Sequence, residues 1–323
     1  MRLVAHLFAL LTAVSSSAWA DPQVLLEPAV GTPSAVTVTG RVLKSTPHHG
    51  HSIVEKNVRL LTSTNWEGAP VEVRLGEVVG NVTSGHDGDF EVTLTAPEGH
   101  PFESGLGSLT ATVAGASPAT SSVDILPASA PFFVISDLDD TLSVTNVLKT
   151  SALLRSAFWQ DGDTQPAVKG MPELYQCLKA GGAPRPAFML VSGSPIQYLD
   201  RVRVFLVRNG YPVFGIALRD IGPKTLSNYK QPVIRRLLKA IPNQVVLVGD
   251  SGEHDPEVYA QMREEFPGRV AAVYIRNAGH AENKVRFKDM LLFDEPSEAA
   301  LDAVKRGLAD APCVASSFTA GAK

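Results

Sequence analysis

Two patterns of apolar and polar positions divide the chain. Over residues 35–42, 71–75, 90–94 and 109–113, apolar residues alternate with polar ones position by position. A period of two is the mark of a half-buried strand. Turn formers lie between these runs, in Ser84-Gly85-His86-Asp87-Gly88-Asp89 and Pro97-Glu98-Gly99. Short alternating strands and turns without helical periodicity predict a β-sandwich domain over residues 21–127. Within the run 121–131, the Ala- and Pro-containing composition reads as a linker.

Beyond the linker the pattern changes. Residues 132–136, 187–191, 213–218, 245–248 and 270–275 are nearly unbroken apolar runs, as expected of strands buried on both faces of a parallel sheet. Between and after them, residues 171–180, 197–208, 232–240, 256–266 and 296–308 read as helices. Asn209-Gly210 ends the second, and Ser297 is the expected N-cap of the last. The alternation predicts an α/β domain over residues 128–312, with a mainly parallel sheet and helices on both faces. Residues 313–323 are expected to form a tail. The insert 142–184 is too long for a plain crossover, and its segment 147–159 reads as part of a small helical cap.

Charge and composition narrow the function. The formal net charge is −4 and no basic patch stands out, so nucleic acid is not an expected partner. Arg2, the apolar stretch 3–14 and Ala18-Trp19-Ala20 read as a cleavable signal peptide over residues 1–20. The mature chain is then expected to be exported, to a periplasm or outside the cell. Two cysteines, Cys177 and Cys313, could pair or remain as two buried thiols. His48, His49 and His51 read as an exposed loop, since no Cys or second ligand cluster accompanies them.

Candidate chemistry gathers where the predicted strands end. The first runs into Asp137-Leu138-Asp139-Asp140-Thr141. Such crowded carboxylates repel one another unless a cation or proton sits among them. Alternation sends Asp137 and Asp139 the same way. A hard divalent cation suits that convergence, at the strand end where open α/β sheets bind ligands. The second strand ends in Val191-Ser192-Gly193-Ser194-Pro195, where a hydroxyl and glycine N–H groups can hold a phosphate oxygen. The fourth ends in Gly249-Asp250, followed by Ser251-Gly252-Glu253-His254-Asp255. Asp250 could complete the cation's ligands, and Asp255 could cap the next helix and brace the site. A basic residue is expected between these two strand ends, and Lys224 and Lys230 are available.

This ordered set resembles the haloacid-dehalogenase superfamily of Mg²⁺-dependent phosphotransferases. The stretches 135–141, 169–175, 191–195 and 247–259, with Tyr274-Ile275-Arg276-Asn277, are similar to the catalytic domain of the actin-patch-associated phosphatidate phosphatase family. The resemblance implies a Rossmann-like haloacid-dehalogenase domain. It implies Asp137 as nucleophile forming an aspartyl-phosphate, and Asp139 as proton donor and acceptor. It implies Mg²⁺ held by Asp137, the backbone carbonyl of Asp139 and Asp250. Ser192 would bind the phosphoryl group, and Lys230 is preferred over Lys224 because 230–234 matches the family's helix start. Asp255, Thr141 and Gly193 would support the site. The implied substrate is a phosphate ester, with a lipid such as phosphatidate as the leading class and peripheral membrane contact to go with it. A small soluble phosphate ester is the alternative within the same chemistry. A non-catalytic surface-binding protein using the β-sandwich is the alternative of another class.

Overall fold

The computed structural model describes residues 22–45, 64–144, 164–219 and 226–319. The expected signal peptide, the histidines at 48, 49 and 51, the cap segment 147–159 and Lys224 lie outside the described residues.

The first strands are β1 (Gln23–Leu26), β2 (Ala29–Gly31), β3 (Ala35–Ser45), β4 (Thr64–Asn65), β5 (Pro70–Leu75), β6 (Val78–Thr83), β7 (Asp89–Thr95), β8 (Gly105–Val113) and β9 (Ala119–Ile125). In one sheet β3 pairs antiparallel with β1, β4 and β7; the other runs β2-β9-β8-β5-β6. The inward residues of both sheets meet in one core. Val36, Val38, Phe90 and Leu94 come from the first, and Val71, Val73, Leu109 and Val123 from the second. Strand β9 corrects the expected linker, which covered residues 121–131. Ser121 and Asp124 are buried there beside Val123 and Ile125, because arginines from the second half of the chain reach both polar groups. A strand whose polar positions find buried partners looks like a linker by composition alone.

The second half continues with β10 (Phe132–Ser136), α1 (Met171–Ala180), β11 (Phe188–Pro195), α2 (Leu199–Arg208), β12 (Phe214–Arg219), α3 (Leu226–Ala240), β13 (Gln244–Asp250), α4 (Asp255–Glu265), β14 (Val270–Arg276), β15 (Leu291–Phe293), α5 (Pro296–Lys305) and α6 (Ala311–Thr319). The six strands pair in parallel, in the order β12-β11-β10-β13-β14-β15. Successive residues of β10 serve opposite faces. Phe132 and Val134 pack with α1, α2, α5 and α6, while Phe133 and Ile135 pack with α3 and α4. Each such burial is worth about 1.5–3 kcal/mol, so β10 is held from both sides. The strand order reverses between β10 and β13, which opens a crevice beyond their carboxyl ends.

Three helix ends differ from expectation. Helix α3 begins at Leu226, so Pro232 lies inside it. Burial of Val233, Ile234, Leu237 and Leu238 carries the helix past the lost backbone bond. Glu295, rather than Ser297, caps α5, through a reciprocal box with Glu298. Helix α6 runs across the expected boundary at residue 313, so Cys313 belongs to the packed fold and not to a tail. There it forms a disulfide with Cys177 of α1.

The two halves are joined along the edge strand β12. Its Ile216 N–H donates to Pro28 O at 2.8 Å, and its Leu218 N–H donates to Glu27 Oε1 at 2.7 Å. The link between β1 and β2 thus covers donors that an edge strand would otherwise present to other chains. Arg203 of α2 donates to Leu26 O at 2.7 Å and to Ser121 Oγ at 2.6 Å. Arg185 makes a two-pronged bond to Asp124, at 2.7 and 2.9 Å. Glu27 is buried, and desolvation pushes its carboxyl up to about 7 in spite of the Thr39 hydroxyl at 2.6 Å.

The disulfide and the buried Glu27 each carry a measurable consequence. Denaturant titration of a Cys177→Ser/Cys313→Ser variant should show a loss of about 2–5 kcal/mol, since the crosslink closes a long loop in the unfolded chain; an unchanged midpoint would refute it. For Glu27, the folded state holds the proton more tightly than the unfolded state. Stability should therefore fall as pH rises from about 4.5 to about 7 and level off above that, with a penalty on the order of 3 kcal/mol when ionised. Glu27→Gln should flatten that slope and raise the melting temperature at pH 8.

Candidate active site

The crevice between β10 and β13 is lined by residues at and just beyond the carboxyl end of each strand. Asp137 comes directly after β10, and its N–H still bonds Val248 O of β13 at 2.9 Å. Its side chain is almost fully buried and held at both oxygens. Lys230 Nζ lies 2.8 Å from Oδ1, and the Thr141 hydroxyl donates to Oδ2 at 3.1 Å. Its carbonyl accepts from Ser136 Oγ at 2.6 Å, and Ser136 Oγ in turn accepts from the Tyr175 hydroxyl of α1 at 2.6 Å. Lys230 and Thr141 thus fix the Asp137 carboxylate, while Ser136 and Tyr175 hold its backbone carbonyl.

The turn after Asp137 separates the other acids. Asp139 Oδ2 accepts from the Ser194 hydroxyl at 2.7 Å. Asp140 has a left-handed backbone, φ 56°, a conformation that Asp tolerates better than most residues. Its N–H donates to Ser143 O, and its carbonyl accepts from Arg276 Nη1 at 2.6 Å. At the end of β11, Ser192 is fully buried and its Oγ accepts the Ser194 N–H at 3.0 Å, across the residue Gly193.

From β13 comes Asp250. Its Oδ1 accepts the N–H groups of Gly252 at 2.6 Å and Glu253 at 3.1 Å. Its Oδ2 is buried with no hydrogen-bond partner. Asp255 opens α4 and turns back, so that its Oδ2 accepts the Asp250 N–H at 3.3 Å and its Oδ1 lies 2.5 Å from Lys230 Nζ. It braces the site in this way instead of capping the helix, whose N-cap is His254. The close return requires Gly249, since a Cβ there would sit 2.5 Å from Asp255 Oδ2.

Residues 132–277 match the profile of the family described as phosphatidate phosphatase APP1, catalytic domain. This part of the chain resembles the APP1 catalytic domain. Phosphatidate phosphatase APP1 of Saccharomyces cerevisiae is 31% identical over 171 residues, 50% of this chain and 28% of that protein. An uncharacterized protein of Schizosaccharomyces pombe is 28% identical over 153 residues, 45% of this chain and 25% of its own length. The chain thus spans about a quarter of the curated relatives it matches. Among solved structures, one described as a Pnkp1/Rnl/Hen1 complex aligns with a TM-score of 0.36 and 19% identity, over 46% of this chain and 47% of that one.

The APP1-like region brings together Asp137, Lys230 and Asp255, while Asp139 meets Ser194 beside Ser192. It also brings in Glu253, whose Oε2 lies 3.3 Å from Lys230 Nζ. Among the described residues, carboxylate oxygens of Asp137, Glu253 and Asp255 gather within 4.8 Å of one another, so Glu253 joins the expected acids. The sequence carries one sign of Glu253, its place between two acids of an otherwise expected loop. Ser194, Tyr175 and Arg276 lie within the family-like stretches, but their partners are set by tertiary packing and not by any local pattern.

Burial dominates the electrostatics. It pushes the Asp137, Asp250 and Asp255 carboxyls up, opposed in each case by the Lys230 charge. Burial also works against the Lys230 ammonium, but Asp137, Asp255 and Glu253 more than offset it and hold the lysine protonated. Several acids around one ammonium leave negative charge uncompensated. That excess and the orphaned Asp250 Oδ2 are what a bound divalent cation would satisfy. The donor set, all oxygen, suits a hard cation.

Lys230→Met should therefore destabilise the protein by about 3–5 kcal/mol at neutral pH in EDTA, because buried carboxylates lose their counter-charge. Acidification should recover part of the loss as those carboxyls take up protons. Urea titration at several pH values checks this, and a pH-independent change would contradict it.

Proposed function

We propose that the chain is a Mg²⁺-dependent phosphomonoester hydrolase that works through Asp137. The observation that carries this reading is the Lys230 ammonium between Asp137 Oδ1 and Asp255 Oδ1, in a region that resembles a phosphatase catalytic domain. Asp137 attacks phosphorus, and the bond from phosphorus to the ester oxygen breaks. Asp139 gives its proton to the departing oxygen, which leaves an aspartyl-phosphate on Asp137. Asp139 then takes a proton from water as that water attacks phosphorus, and inorganic phosphate departs with Asp137 restored. Ser192 and the Gly193 N–H receive the phosphoryl oxygens. Lys230 and Thr141 hold the nucleophile's oxygens, and Ser194 aims Asp139. Mg²⁺ held by Asp137, Asp250 and the Asp139 carbonyl would offset the charge of nucleophile and phosphate together.

The fold reading goes with the chemistry. We read residues 128–312, extended through α6, as a haloacid-dehalogenase-type domain with a cap in the insert 142–184. Residues 21–127 are read as a β-sandwich. The strand order and the two-faced core support the first, and the shared core of the two N-terminal sheets supports the second. The substrate class we propose is a lipid phosphate such as phosphatidate, reached by peripheral contact with a membrane. Its support is the likeness to the yeast phosphatidate phosphatase. No described helix is long and apolar enough to cross a membrane. We also propose export through residues 1–20, which the Cys177–Cys313 disulfide supports, since such bonds persist in oxidising compartments.

The test is phosphate release by the purified protein from phosphatidate vesicles and from a panel of soluble esters. Turnover should need Mg²⁺ and vanish in Asp137→Asn, with vesicles preferred. Equal turnover by Asp137→Asn would sink the mechanism, and indifference to vesicles would leave a soluble ester as the substrate.

A further inference from the structure

We infer that Arg286 is a positioning residue for the acidic loop after β13: its guanidinium fixes the peptide between Ser251 and Gly252, and so the orientation of the Asp250 carboxylate. This rests on the reading of Asp250 as a cation ligand. Arg286 lies beyond residues 132–277, the stretch that matches the APP1 family.

A short 3-10 turn, Lys284–Phe287, delivers the side chain. The Asn283 side chain caps that turn by accepting the Val285 N–H at 3.2 Å, and buried Phe287 anchors it. The guanidinium then uses its whole fork. Nε and Nη2 grip the two Glu257 oxygens, at 2.5 and 3.0 Å. Nη2 also donates to Glu253 O at 2.7 Å, and Nη1 donates to Ser251 O at 2.9 Å and His280 O at 3.2 Å. That is one bond for each of the five N–H donors an arginine carries.

The bond to Ser251 O is the one that reaches the site. A peptide group is planar, with its C=O and N–H on opposite sides. The carbonyl held by Arg286 shares its plane with the Gly252 N–H, which donates to Asp250 Oδ1 at 2.6 Å. Holding the carbonyl aims the N–H, and the aimed N–H holds Oδ1. With Oδ1 fixed there, Oδ2 is left as the buried oxygen without a partner. The bond to Glu253 O secures the other end of the same loop, whose Glu253 side chain stands beside Lys230. The Glu257 pair supplies the counter-charge that keeps the guanidinium in place. A lysine could supply charge but not five directed bonds.

The experiment uses full-length protein with Arg286→Gln and Arg286→Lys. The control is Arg263→Gln, which removes bonds to Lys288 O and Asp289 O at the far end of the same connection. Direct Mn²⁺ binding is read from the EPR signal of the free ion. Phosphate release is followed against Mg²⁺ concentration, with melting temperature alongside. Both Arg286 variants should bind Mn²⁺ about 10–100-fold more weakly, as expected when a residue supporting a metal ligand is lost. Half-saturating Mg²⁺ should rise in proportion, while the rate at saturating Mg²⁺ falls less. Arg263→Gln should leave Mn²⁺ binding unchanged whatever it does to melting. Wild-type Mn²⁺ affinity in Arg286→Gln, full rescue by lysine, or an equal loss in Arg263→Gln would each overturn the assignment. If the wild type binds Mn²⁺ but releases no phosphate, the hydrolase reading fails while the binding isotherms still decide the role of Arg286. A wild type that binds no Mn²⁺ overturns the cation site and this inference together.

Discussion

A single ammonium group, buried among carboxylates, is the constraint on which the second half of this protein depends. Lys230 Nζ touches Asp137, Asp255 and Glu253, which come from the ends of two different strands and the start of a helix. Burying any one of those groups alone would be costly, and each is tolerable only because the others are present. Helix α3 must therefore dock in one register against β10 and β13. Its apolar face, Val233 to Leu238, sets the same register through the core it shares with the sheet. The packing and the charge cluster thus specify one arrangement.

The sheet supplies the geometry that the charge cluster needs. Because the strand order reverses between β10 and β13, the connections after them leave toward opposite faces of the sheet, and side chains after each strand can face one crevice. Both strands are sealed on two faces by apolar side chains, so the acids have no solvent beneath them. The excess negative charge thus comes from several acids that the architecture gathers around one ammonium, away from solvent. It is also what favours a small cation in the crevice over water alone.

Much of this is legible from residue pattern alone, and the exceptions have a common cause. Strand β10 matches the expected 132–136 because a run of Phe, Val and Ile admits only burial on both faces. Asp137, Asp139, Ser192 and Asp250 are visible because they come at the ends of such runs. Strand β9 is not visible, since the partners of Ser121 and Asp124 sit on α2 and the approach to β11. The start of α3 is hidden because a proline is a local signal, while the burial that overrides it is distant. Glu253 and Ser194 gain their meaning only from a contact across the fold. The pairing of Cys177 with Cys313 likewise depends on α1 and α6 being neighbours, which no spacing reveals.

The way Glu27 and Pro28 cover β12 has a further consequence. Parallel sheets of this kind end in strands whose free edge invites association with other chains. Here the first half of the protein occupies that edge with a carbonyl and a carboxylate, aligned with two successive outward N–H groups. The N-terminal half thus shields the open edge of the second half's sheet. Severed from it, the remaining chain would expose an adhesive strand, so the two halves form a single unit of solubility, and a lineage that lost the first would need another way to blunt the second.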